Sequence, residues 1–82
     1  MTIEVCGSGC SKCAELEKRA REAVVRVGVD AVVEHTYDMN KILARGILLT
    51  PALVIDGKVV VSGKIPTVEQ IADMLKRAAL TR

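Results

Sequence analysis

Thr2-Ile3-Glu4-Val5-Cys6, running straight into Gly7-Ser8-Gly9-Cys10-Ser11-Lys12-Cys13, is the stretch from which the fold can be read. Thr2, Ile3 and Val5 are β-branched in a loosely alternating run, which predicts a short strand. Gly7-Ser8-Gly9 is a turn. From Ser11 to Val27 the apolar residues Cys13, Leu16, Ala20, Val24 and Val27 fall three or four positions apart, the spacing of one helix face. Glu15, Lys18, Arg19, Glu22 and Arg26 occupy the other faces, and Gly28 suits the left-handed position that ends a helix. The chain thus opens with a strand that delivers two cysteines to the first turn of a helix.

The remaining elements follow outward from there. Ala31 to Tyr37, with Val32, Val33 and Thr36, predicts a second strand. Asp38 is placed to cap a short helix, Met39 to Arg45, closed by Gly46. After Ile47-Leu48-Leu49-Thr50-Pro51 come two apolar runs, Ala52 to Ile55 and Lys58 to Val61. They are joined by Asp56-Gly57, a pair suited to a two-residue hairpin because both positions need positive φ. Thr67-Val68-Glu69-Gln70 reads as a capping box opening a last helix, with Val68, Ile71, Leu75 and Ala78 facing inward. The order is β-α-β-α-β-β-α. A helix between the first two strands makes them parallel with a right-handed crossover, and the hairpin adds an antiparallel pair. The expected architecture is an α/β domain: a four-stranded mixed sheet with three helices covering both faces.

With 82 residues the chain has room for one core, and residues 1–82 are expected to form a single domain. Half the residues are hydrophobic, yet Phe and Trp are absent and Tyr37 is the single aromatic of the Phe, Trp and Tyr set. The core therefore falls to Val, Ile, Leu and Ala, and no platform exists for stacking nucleic-acid bases. A net charge of +2 is too small for a protein whose affinity comes from neutralising phosphates, so nucleic acid is not an expected partner. No apolar run approaches the ~18 residues of a membrane helix, and the first residues lack the pattern of a signal peptide. A soluble, cytoplasmic monomer is expected. Three cysteines, an odd number packed within Cys6 to Cys13, do not form a secreted disulfide framework and point to catalysis or metal binding instead.

Cys10-Ser11-Lys12-Cys13 carries the chemistry. At a helix start, unpaired backbone N–H groups and the positive end of the dipole favour a thiolate over a thiol. The thiolate is the attacking species in disulfide exchange, and Lys12 adds positive charge beside it. Cys13, three residues on, is close enough to close a small ring with Cys10. Cys10 is assigned as the exposed attacking sulfur. Cys13, on the apolar face, is the buried resolving one.

On these residues the chain resembles the thioredoxin superfamily, and more narrowly the small thioredoxin- or glutaredoxin-like redox-active disulfide proteins of archaea and bacteria. The resemblance covers nearly the whole chain. It rests on Gly7 to Cys13 after the first strand, on Thr50-Pro51 before the third, on Asp56-Gly57 and on the element order. It implies a thiol–disulfide oxidoreductase with a Cys10–Cys13 redox disulfide, and a cis Thr50-Pro51 bond facing the Cys-x-x-Cys loop. Thr50 would then offer backbone groups to an extended substrate. The implied partners are disulfide-containing proteins, with a thioredoxin-reductase-like flavoenzyme or glutathione as electron donor. The sequence adds that X-Pro bonds are the ones that can be cis at modest cost. Of the two, Ile65-Pro66 has an obvious trans role at a helix start, whereas Thr50-Pro51 introduces no helix. The Trp-Cys-Gly-Pro-Cys loop of familiar thioredoxins is absent, as is the Tyr of many glutaredoxin loops.

The alternative is a small carrier of Cu(I) or Zn using the same two thiolates. Heavy-metal chaperone domains of this length, however, follow the order β-α-β-β-α-β and need no Thr-Pro. Cys6, Cys10 and Cys13 together match the Cys-x3-Cys-x2-Cys spacing of radical enzymes that use S-adenosylmethionine, but those require a barrel several times longer. No organic cofactor is expected, since Gly7 and Gly9 lack the third Gly and the acidic ribose ligand of a dinucleotide loop. Cys6 is read as a small apolar core residue rather than an auxiliary thiol. Glu4 is read as a solvated strand residue rather than a buried proton carrier beneath Cys13. His35 and Tyr37 are read as structural or surface residues, and Lys41, Arg45, Lys58 and Lys64 as solvated.

Overall fold

The computed structural model describes residues 1–9 and 11–80. Its elements are β1 (Thr2–Cys6), α1 (Ser11–Val27), β2 (Val32–Thr36), α2 (Met39–Ala44), β3 (Ala52–Ile55), β4 (Lys58–Ser62) and α3 (Val68–Leu80). They form a four-stranded mixed sheet in the order β2-β1-β3-β4, with β1 parallel to β2 and antiparallel to β3. The expected α/β architecture is the one observed.

Side-chain alternation along the central strands divides the core. Ile3 and Val5 of β1, with Leu53 and Ile55 of β3, point to one face and pack with Leu16, Ala20 and Ala23 of α1 and Ile71, Ala72 and Leu75 of α3. Cys6, Ala52 and Val54 point to the other face, where Ile42 of α2 and Ile47 cover them. All four residues of β3 are buried, as a strand covered on both faces requires.

Local signals are met at atomic detail. Asp56 and Gly57 adopt φ of 50° and 83°, both positive as a type I′ hairpin turn demands. Gln70 N–H donates to Thr67 Oγ1 at 3.1 Å and Thr67 N–H to Gln70 Oε1 at 2.9 Å, a complete capping box. Asp38 caps α2 by accepting from Asn40 N–H at 2.9 Å.

Some boundaries and faces differ from expectation. The second strand stops at Thr36, so Tyr37 lies just beyond it, and α2 ends at Ala44 with Arg45 as its C-cap. On α1, Ala23 is fully buried while Val24 and Val27 only pack against the rim of the cluster. The cause is tertiary: α1 is covered by α3 as well as by the sheet, so its buried stripe is set by two neighbours and not by hydrophobicity alone.

Leu16 has no exposed surface, whereas Val25 on the same helix is 82% exposed. Leu16→Ala is expected to cost about 2–5 kcal/mol, and Val25→Ala to stay within about 0.5 kcal/mol of the parent. Urea titration reads both from the midpoint at unchanged slope.

Candidate active site

The register of β1 assembles the site. Cys6 is paired with Thr36 of β2 on one side and with Ala52 of β3 on the other. The residues just past those pairs, Gly7, Tyr37 and Pro51, therefore converge at one end of the sheet. Gly7 N–H donates to Thr36 O at 3.1 Å, extending the parallel ladder by one step into the loop.

α1 begins at Ser11 and carries no acidic residue in its first turn, so nothing there offsets the positive end of its dipole. Lys12 is exposed and Cys13 is fully buried. Cys10, expected to be the attacking thiolate, lies outside the described residues. The Cys13 sulfur rests directly on the Gly7 backbone: a Cβ built on Gly7 would overlap Cys13 Sγ and would lie 3.7 Å from Thr50 Cβ. Gly7, Cys13 and Thr50 thus share one small volume.

The Thr50–Pro51 peptide bond is cis. Pro51 is buried, while Thr50 and the two residues before it are exposed, Leu48 at 84% and Leu49 at 64%. This segment is tied to the end of β4. Ser62 Oγ donates to Leu49 O at 2.9 Å, and Gly63 N–H donates to Pro51 O at 2.9 Å. Gly63 has φ of 75°, and a Cβ there would stand 2.9 Å from Leu49 Cβ, so positive φ and close approach both call for glycine.

Cys6 is fully buried against Ile42, Ile47, Ala52 and Val54, a core residue by its surroundings. Burial, reinforced by the negative charge of Glu4, pushes its thiol above the ordinary range, and Arg45 opposes this only in part. Two surface expectations need correction. Glu4 is not solvated: its side chain is 15% exposed, its Oε1 lies 2.6 Å from Arg45 Nη2, and its Oε2 accepts from Thr36 Oγ1 at 3.2 Å. Arg45 is correspondingly an ion-pair partner and not a freely solvated cation. The physical reason is that α2 crosses the face onto which Glu4 and Cys6 project, which brings its C-cap over the carboxylate.

His35 and Tyr37 sit closer to the site than the sequence suggested. Their rings stack with centroids 3.9 Å apart and an interplanar angle of 10°. A Cβ on Gly9 would lie 2.8 Å from Tyr37 Cε1, so the Tyr37 ring packs on the loop that leads into Cys10. The available signal was their spacing, since residues two apart on a strand share a face. Among the described residues no group of three or more His, Cys, Asp or Glu side chains is placed to hold a metal ion. No described helix is long and apolar enough to cross a membrane.

Two outcomes test this geometry. Gly7→Ala forces a methyl group into the Cys13 sulfur and is expected to cost about 1–3 kcal/mol by overpacking. Adding Cys13→Ala should relieve most of that cost, a coupling that a double-mutant cycle reads. Secondly, the folded chain holds the Cys6 proton more tightly than the unfolded chain does. Its contribution is therefore complete below the ordinary thiol pKa and is lost as pH rises through the raised value. Denaturation from neutral to alkaline pH should show that decline, and Cys6→Ala should flatten it.

A family model described as "Thioredoxin domain" matches residues 1–76. A curated protein named thioredoxin from Methanothermobacter thermautotrophicus is 40% identical over 75 residues, covering 92% of this chain and 97% of the relative. Another thioredoxin, from Methanocaldococcus jannaschii, is 37% identical over 76 residues, covering 93% of this chain and 87% of the relative. Fold, element order and these matches agree, and the chain belongs to the thioredoxin family of disulfide oxidoreductases.

Proposed function

We propose that the protein is a cytoplasmic thiol–disulfide oxidoreductase in which Cys10 is the nucleophile and Cys13 the resolving thiol. The observation that carries this reading is the seat of Cys13: fully buried, at the start of α1, against Gly7 and beside Thr50. A sulfur so placed is protected from solvent yet lies three residues along the chain from the proposed nucleophile.

The Cys10 thiolate attacks one sulfur of a substrate disulfide, forming a mixed disulfide and releasing the other substrate sulfur as a thiolate. Cys13 loses its proton and attacks the Cys10 sulfur. The second substrate thiolate departs and the Cys10–Cys13 disulfide forms. The substrate has gained two electrons and, on protonation, two protons. A two-electron donor, either a thioredoxin-reductase-like flavoenzyme or glutathione, returns the protein to the dithiol. The helix dipole and Lys12 favour the Cys10 thiolate.

Exposed Leu48, Leu49 and Thr50 supply an apolar step ending in backbone groups beside the site. That surface suits an extended protein segment carrying the disulfide better than a compact small molecule. Thr50 and Pro51 are the proposed substrate-binding residues. The protein works as a monomer and needs no organic cofactor of its own.

Cys13→Ser is expected to accumulate mixed disulfides through Cys10, because attack proceeds and resolution does not. Cys10→Ser is expected to trap nothing and to lose disulfide reductase activity. Non-reducing electrophoresis with mass spectrometry checks both. Retained activity in Cys10→Ser would reverse the assignment.

A further inference from the structure

Tyr37 follows β2 and Gly9 precedes the Cys10–Cys13 motif, so two groups that touch stand 28 positions apart in the chain. Gly9 has φ of 87°, and its would-be Cβ lies 2.8 Å from Tyr37 Cε1 and 3.4 Å from Cδ1. Glycine is thus required there twice: for its backbone conformation and for the ring pressed against it. The ring does not float over the loop. Its face is stacked on His35 at 3.9 Å, and the His35 side chain is only 10% exposed. His35 Nδ1 in turn lies 3.1 Å from Glu17 Oε1 on α1, and Glu17 Oε2 pairs with Arg21 Nε at 3.3 Å. Arg21 also donates to Val33 O at 3.4 Å, which ties the same helix back to β2.

These contacts form a closed bracket. It runs from the body of α1 through Glu17, His35 and Tyr37 to Gly9, and returns along the chain into the start of α1. The Gly9 side of the turn that leads to the reactive thiol is therefore tied to α1 through Tyr37 as well as through the chain, while its Gly7 side is bonded to Thr36 O of β2. We propose that Tyr37 is a positioning residue for disulfide exchange, holding the Gly7–Gly9 turn in the conformation from which Cys10 attacks. Tyr37 remains 61% exposed, so the ring that braces the loop also forms part of the surface a substrate meets. The loop itself contains no aromatic residue. The aromatic that braces it comes instead from the residue just past the end of β2.

This rests on the oxidoreductase reading, and one set of measurements separates the two. Tyr37 is the chain's single Tyr and there is no Trp, so intrinsic emission reports Tyr37 alone. Purified protein is oxidised with a diamide reagent or reduced with dithiothreitol, and its free thiols are counted as its emission is recorded. The rate of the reduced protein with a small aromatic disulfide is then measured for the parent, Tyr37→Phe and Tyr37→Leu. The expected result is a loss of two thiols on oxidation with a change in tyrosine emission. Tyr37→Leu should react about tenfold more slowly, as expected for a misplaced reacting group, and Tyr37→Phe should react like the parent. A merely structural role would lower stability without making emission depend on redox state.

Two thiols lost, with unchanged emission or with parental rates in Tyr37→Leu, would overturn the bracket while leaving the oxidoreductase reading intact. No loss of thiols on oxidation would overturn both.

Discussion

Everything at the functional end of this protein depends on where the Cys13 sulfur sits. Cys13 belongs to the buried stripe of α1 together with Leu16, Ala20 and Ala23, so packing α1 on the sheet also fixes the sulfur. Its seat is the bare backbone of Gly7, where any side chain would collide with it. Packing therefore acts directly on the atom proposed to resolve the mixed disulfide. The helix cannot shift along the sheet without moving the sulfur, and the sulfur cannot be displaced without disturbing the helix.

The central strand brings the other parts to that point. Cys6 has Thr36 on one side and Ala52 on the other, so the segments beyond them, Tyr37 and Thr50–Pro51, flank the Gly7–Gly9 turn as a consequence of register. Each is then secured by a separate contact. Gly63 and Ser62 hold the Leu49–Pro51 segment through two backbone carbonyls, and the His35–Glu17 pair holds Tyr37. On the opposite face, the Glu4–Arg45 pair anchors the end of α2 above β1, beside the buried Cys6 thiol. The cysteine nearest in sequence to the motif is thus removed from solvent, and its burial beside Glu4 pushes its thiol pKa up.

What the sequence disclosed was governed by local rules. The Asp56-Gly57 turn and the Thr67–Gln70 capping box each depend on residues within one turn of one another, and each appeared where expected; the stripe of α1 held for Cys13, Leu16 and Ala20 and then departed from its pattern at Ala23. The cis Thr50–Pro51 bond was expected from resemblance together with the want of any helix for that proline to introduce. Contacts between distant residues stayed hidden. Glu4 and Arg45 are 41 positions apart, and nothing in either neighbourhood signals the pairing. The same holds for Tyr37 and Gly9, since a lone aromatic on a strand end reads as surface until the parallel register of β1 and β2 is known. Ala23 was missed because the core cluster that buries it is completed by residues of α3, far along the chain.

The most direct test of the account is to equilibrate the protein in a series of glutathione redox buffers, quench with acid, alkylate and quantify each cysteine by mass spectrometry. Cys10 and Cys13 are expected to leave the labelled pool together, in one transition with the two-electron slope of about 30 mV per tenfold change in ratio, while Cys6 stays a thiol throughout. Independent titration of Cys10 and Cys13, or a disulfide that includes Cys6, would contradict it.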